Sequence, residues 1–135
     1  MNTLDKLAIL RGCGPFDRLS AAELAQVADS CEEKRYTPGQ TIVQQGMQIA
    51  YVYVLFEGTA SCGEQGLSGI IGAEGVFLHT VFRNHVIAGD FGAAALVIGR
   101  GRFFTIINEC PAFTVALAKQ FSETRELYVS LEVDA

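Results

Sequence analysis

Two histidines, four cysteines and an arginine among polar neighbours are the side chains with chemistry to offer, and their spacing limits what that chemistry is. His79 and His85 stand six positions apart with no carboxylate at a metal-ligand interval, so they read as surface or packed imidazoles. Cys13, Cys31, Cys62 and Cys110 are scattered without a Cys-x-x-Cys pair. Zinc sites usually show paired close spacings, so these read as reduced, mostly buried thiols in a reducing compartment. There is no Gly-x-Ser-x-Gly, no phosphate-cradling glycine loop and no carboxylate pair in a polar setting. A metal-dependent phosphodiesterase would need more ligands than two histidines. The chain is therefore expected not to be an enzyme. Arg83, in Phe82-Arg83-Asn84-His85, is left either as a solvated loop arginine or as a planar fork that meets two oxygens of an anion.

Helices and short strands must position these groups. Leu4, Leu7, Ala8 and Leu10 give a short amphipathic helix, broken by Gly12, Gly14 and Pro15. Ser20 with Glu23 three residues on makes a capping box for a second helix, whose apolar side is Ala21, Leu24, Ala25, Val27 and Ala28. From Lys34 to Ile98 the period changes to short strands. Pro38-Gly39 turns into Thr41-Ile42-Val43, and Tyr51 to Phe56 is the strongest strand, with Thr59 to Cys62 beyond Gly58. Gly63, Gly66 and Gly69 mark turns, and Val86 to Ala88 and Ala93 to Ile98 read as the last strands. Arg102 to Ile107 returns to helix. Pro111 then opens a final helix whose stripe is Phe113, Leu117, Phe121, Thr124, Tyr128 and Leu131. The expected class is α+β with an antiparallel β-core.

Bulk composition narrows the partners. A chain of 135 residues, 50% hydrophobic, suits a single domain over 1–135. The net charge of −5 argues against a sequence-independent grip on nucleic acid, which needs a basic face. No apolar run reaches the roughly 18 residues of a membrane span, and the N-terminus lacks a signal-peptide pattern. The expectation is a cytoplasmic protein with no nucleic-acid or membrane partner.

Several segments in order resemble one family. Pro15-Phe16 with Leu19-Ser20 and Glu23-Leu24, then Pro38-Gly39-Gln40-Thr41-Ile42, Gln45-Gly46, and Tyr51-Val52-Tyr53-Val54-Leu55 before Gly58 resemble the opening half of a cyclic-nucleotide-binding domain. The resemblance implies an antiparallel β-roll of the jelly-roll type, flanked by N-terminal helices and two C-terminal helices. It also implies a non-catalytic regulatory sensor that binds cyclic AMP, cyclic GMP or a similar small anion and signals through its C-terminal helix. That helix commonly closes over the ligand or pairs with its twin, so a homodimer through it is part of the expectation.

The family keeps its ligand chemistry in a cassette written Phe-Gly-Glu-x-Ala-Leu, followed by Pro-Arg-Ser/Thr-Ala. Here the cassette resembles Gly75, Val76, Phe77 and Leu78, then Arg83, Asn84 and His85. On that resemblance Gly75 lets the backbone approach the phosphate and Arg83 binds it. Val76 stands in place of the glutamate that holds the ribose hydroxyl. Losing such a charge-assisted hydrogen bond costs about 1.5–3 kcal/mol, so binding is expected to be weak or absent. Glu74, two residues earlier, is the one carboxylate a local shift would bring in. Glutamate at position 76 would restore the contact only if that residue faces an open pocket. A ligand-free copy of the fold used for dimerisation or docking is the alternative. Some relatives hold haem in this pocket, and Cys62, His79 and His85 are the residues here able to ligate it.

Overall fold

The computed structural model describes residues 1–130. Helix α1 (Thr3–Arg11) and helix α2 (Ala21–Ser30) begin at reciprocal caps. At α2 the Glu23 amide donates to Ser20 Oγ at 3.1 Å and the Ser20 amide donates to Glu23 Oε1 at 2.8 Å, as the sequence pattern predicts. Strands β1 (Glu32–Tyr36), β2 (Thr41–Val43), β3 (Tyr51–Cys62), β4 (Gln65–Leu67) and β5 (Ile70–Ile71) follow. A short helix α3 (Ala73–Leu78) leads into β6 (Thr80–Phe82) and the long β7 (Val86–Gly99). Helices α4 (Arg100–Glu109), α5 (Pro111–Ala118) and α6 (Phe121–Thr124) come next, and β8 (Tyr128–Ser130) ends the described chain. This is the expected α+β antiparallel β-roll with helices at both ends.

The long antiparallel pair β3–β7 is the axis, running from Tyr51 opposite Gly99 to Cys62 opposite Val86. Strands β1 and β2 add to β7, and β4 and β5 add to β3. The two stretches Val86–Ala88 and Ala93–Ile98, expected as separate strands, are one strand that continues through Gly92 at φ 78. Opposite it Gly58 has φ 75, and a Cβ there would lie 2.1 Å from the Gly92 carbonyl oxygen. Register slips on both sides of Gly58 turn the ribbon into a roll. Phe16, Phe103 and Phe113 lock the two helical ends together beneath it, with ring centroids 5.0 and 5.9 Å apart.

The last helix departs from the sequence expectation. The stripe from Phe113 to Tyr128 does not lie on one long helix. Helix α5 stops at Ala118, α6 is a single turn, and Tyr128 starts a strand. Helical spacing cannot tell a continuous helix from helical turns followed by an extended segment. Tyr128 and Val129 favour extended backbone, and β6 offers them a free edge, where Val81 pairs Val129 and Phe82 pairs Tyr128. Phe113, Leu117 and Tyr128 are buried within the chain's own core rather than held out for a twin. Leu131 lies outside the described residues.

Gly58→Ala is expected to destabilise by about 3 kcal/mol or more, from left-handed backbone plus a clash. Gly39→Ala, at φ 77 with nothing within 4 Å, should cost only the backbone share of about 1–2 kcal/mol. Denaturant midpoints of the two variants test the difference; equal losses would remove the close β3–β7 approach as the cause.

Candidate functional site

A cavity of about 200 Å³ lies at one end of the roll, bounded by Gln65 to Ile71, by Phe82 and by the segment from Gln120 to Tyr128. Ligand pockets for molecules of drug size usually run from about 300 Å³ upward, so the site is partly filled. Tyr128 is the filling. Its ring stacks on Phe82 with centroids 4.6 Å apart and planes at 27°. Its hydroxyl meets the Gly72 backbone amide, and burial, followed by the nearby Glu74 charge, pushes its ionisation far above the ordinary tyrosine value. Leu127, Tyr128 and their neighbours thus form a cover, tied to the roll by strand pairing. The Arg83 amide extends the ladder, donating to the Leu127 carbonyl at 2.8 Å.

Helix α3 brings the cassette to this place, with Gly75, the residue matched to the family glycine, inside the helix rather than at its cap. Its cap is Gly72, at φ 92, a left-handed position that favours glycine. Gly75 sits inside the helix, where a Cβ would fall 2.2 Å from Ile49 Cδ1, 3.0 Å from the Thr80 carbonyl and 3.2 Å from Tyr128 Cε1. Its role in the fold is close packing of α3 against β6 and the cover. Val76 is wholly buried in the core, so a glutamate there would be buried rather than offered to a pocket. Phe77 is half-buried against Phe121, centroids 5.5 Å apart, and Leu78 is exposed.

The second part of the cassette faces outward. Arg83 is exposed and its Nε donates to the Glu126 carbonyl at 3.2 Å. The Asn84 carbonyl accepts from the Cys62 thiol at 3.4 Å, and His85 Nδ1 accepts from the Gln45 amide at 3.1 Å. His79 caps α3 with φ 57 and its Nδ1 lies 3.2 Å from the Arg100 guanidinium. Cys62, His79 and His85 therefore stand in separate hydrogen bonds. Among the described residues no His, Cys, Asp and Glu gather in a metal-binding group.

Two residues of the site were hidden in the sequence. Tyr128 looked like one more member of a helical stripe. Glu74 was visible as a displaced carboxylate, but its setting was not. It is 5% exposed, and its Oε2 has no hydrogen-bond partner. Desolvation raises its pKa, opposed by the charge of Arg125. Glu74 lines a second, small cavity of about 20 Å³ beside the first.

Comparison with known proteins fits this geometry. No protein-family model matches the chain. A cAMP-dependent protein kinase regulatory subunit of Mycosarcoma maydis is 36% identical over 59 residues, covering 42% of this chain and 11% of that protein. The regulatory subunit of a cAMP-independent protein kinase A from Trypanosoma cruzi, bound to guanosine, superposes with a TM-score of 0.70 at 18% identity, covering 90% of this chain and 46% of that one. The regulatory domain of Toxoplasma gondii protein kinase A with cAMP gives 0.72 at 21% identity, covering 90% and 50%. The chain thus spans about half the length of these structures and a small part of the curated relative. It has the fold of the cyclic-nucleotide-binding β-roll. Among the described residues no helix is long and apolar enough to cross a membrane.

The buried carboxyl carries a pH signature. A raised folded pKa means that the native state holds the Glu74 proton more tightly than the unfolded chain does. That stability is present below the unfolded value near 4.5 and is lost as pH rises through the folded pKa. Glu74→Gln should therefore flatten the fall in thermal midpoint between pH 4.5 and 8. The midpoint at pH 8 relative to pH 4.5 should stand higher in the variant than in the native chain. Parallel midpoint curves for the two proteins would count against the burial of an ionised Glu74.

Proposed function

We propose that this chain is a non-catalytic regulatory module of the cyclic-nucleotide-binding fold in which Tyr128 competes with a small ligand for one pocket. Ligand entry displaces the segment from Phe121 to Ser130, and that displacement is the output. The observation that carries this reading is the stacked Phe82–Tyr128 pair at the head of α3. Cassette residues take new roles in it. Phe77 seats Phe121, Arg83 latches the cover through Glu126 and Leu127, and Gly75 leaves room for the Tyr128 ring. The ligand belongs to the nucleoside and cyclic-nucleotide class, by analogy with the guanosine and cAMP held by structures of this fold.

The energies suit a switch. Burying an aromatic side chain is worth about 1.5–3 kcal/mol. A cover held by about 3 kcal/mol leaves the pocket open in under about 1% of molecules, which weakens ligand binding about a hundredfold. An occupant with micromolar or better intrinsic affinity still opens it at achievable concentration.

A dimerisation or docking module is the second reading. It is favoured by the outer face of α5, where Val115 is 58% exposed beside a cavity of about 560 Å³ that reaches Pro15 and Arg18. A native dimer by sedimentation, dissociated by Val115→Glu, would support pairing through the C-terminal helices.

Tyr128→Ala tests the cover. Amide hydrogen exchange should show Thr80–Phe82 and Tyr128–Ser130 losing protection by about a hundredfold, with the β3–β7 ladder unchanged. Protection of β8 equal to that of the native chain would sink the reading. So would global loss of protection, since the segment would then be part of the core rather than a cover.

A further inference from the structure

The cover encloses a carboxyl. Glu74 is 5% exposed and its Oε2 has no hydrogen-bond partner. It lines a cavity of about 20 Å³, room for about one water molecule. Phe121, Thr124 and Tyr128 of the cover wall that cavity, with Gln120 just before them. The other walls, from β5, α3 and α5, are the apolar Ile70, Ala73 and Leu117. A carboxylate formed here has no solvent shell while the cover is seated, and withdrawal of the cover gives it one.

The groups that face Glu74 do not offset this cost. The charge of Arg125, on the turn that leads into β8, acts on Glu74 against desolvation, and desolvation is the larger effect. Arg125 is exposed, so solvent screens its pull. Tyr128, from β8, is the other titratable neighbour; its ionisation is pushed far above the ordinary value, so its hydroxyl stays neutral. Among the described residues, β5, α5 and the rest of α3 put no further titratable side chain into the cavity wall. Glu123 lines the larger cavity instead, and the exposed Arg83 holds the Glu126 carbonyl.

We propose that Glu74 is a proton-dependent latch: the segment from Phe121 to Ser130 stays seated while Glu74 is protonated and is released when Glu74 ionises. The step is an ionisation, in which the carboxyl O–H gives its proton to solvent and the carboxylate takes up water. Desolvation raises the pKa in the closed form, so the closed form holds the proton more tightly than the open one. Closure is therefore strongest below the ordinary value near 4.5 and weakens as pH rises through the closed-form pKa. Within that window an occupant of the opened pocket and the Glu74 proton are antagonists, each lowering the affinity for the other. The latch rests on the reading that this segment covers the pocket.

Amide hydrogen exchange of the full chain tests it, followed from pH 4.5 to pH 8 and expressed as protection factors, which removes the intrinsic pH dependence of exchange. In the native chain Thr80–Phe82 and Tyr128–Ser130 should be less protected than the β3–β7 ladder throughout, and their protection should fall at least about threefold as pH rises. In Glu74→Gln the fall at these two strands should vanish. In Arg125→Gln, which removes the opposing charge, it should be steeper than in the native chain. Protection of the two strands that stays level while the ladder loses protection overturns the latch and leaves the cover intact, since Glu74 then meets water only on global unfolding. The same fall in Glu74→Gln as in the native chain also overturns the latch. Strands as protected as the ladder at every pH overturn both latch and cover. Should Glu74→Gln not fold, Arg125→Gln at its exposed position decides, and a fall no steeper than the native one is the overturning result.

Discussion

The pairing of β3 with β7 is the constraint on which the remaining elements depend. It joins residues 51–62 to residues 86–99, so it closes a long loop before it can be rewarded. Within that loop lie β4, β5, α3 and β6, all parts that build the pocket. The bend at Gly58 and Gly92 turns the ribbon so that these parts are carried to one end. Strand β6 follows α3 after His79 alone, so the two travel together by chain connection. The site geometry is in this sense a consequence of two backbone positions where a side chain would collide with the opposite strand.

The second level of organisation is the cross-strand pair of Phe82 and Tyr128. Among the described residues, strand β6 lies outside the main sheet and forms a two-stranded ribbon with β8. A two-stranded ribbon is marginal by itself. Its stability comes from the stacked rings, from α3 beneath them and from the ladder extension through Arg83 and Leu127. Phe82, Leu127 and Tyr128 are buried in the same core cluster as Phe16, Phe103 and Phe113, so the ribbon is held by its apolar side chains more than by its ladder.

The strands and first helices were legible because local chemistry and tertiary role agree there. Ser20 and Glu23 cap α2 in sequence and in structure. Tyr51 to Phe56 is β-forming by composition and central by topology. The final segment was not legible, because its apolar spacing fits a helix while the edge of β6, distant in sequence, supplies a stronger claim on Tyr128 and Val129. The resemblance places the cassette near Gly72 and matches Gly75 to the family glycine, while the left-handed cap in the structure is Gly72. Glycine identity cannot show which of Gly72 and Gly75 takes the left-handed cap, and that choice moves every neighbour to a different face. Type and order single out Arg83 in the sequence, but its direction in the structure depends on a backbone partner more than forty residues away.

Glu74 and Gly75 break local rules side by side. One buries a carboxyl without a partner for Oε2, and the other places glycine inside a helix, where it weakens helical propensity. Neither improves the closed fold by its own chemistry. Gly75 is required by close approach, since a Cβ would fall 2.2 Å from Ile49 Cδ1, 3.0 Å from the Thr80 carbonyl and 3.2 Å from the Tyr128 ring. Glu74 keeps a buried Oε2 without a hydrogen-bond partner, with the charge of Arg125 offsetting part of the desolvation. Positions where the sequence gives up stability without compensation are where function is best sought. Here two of them lie beside the Tyr128 ring, so the buried carboxyl, the helical glycine and the stacked pair share one small region of the fold.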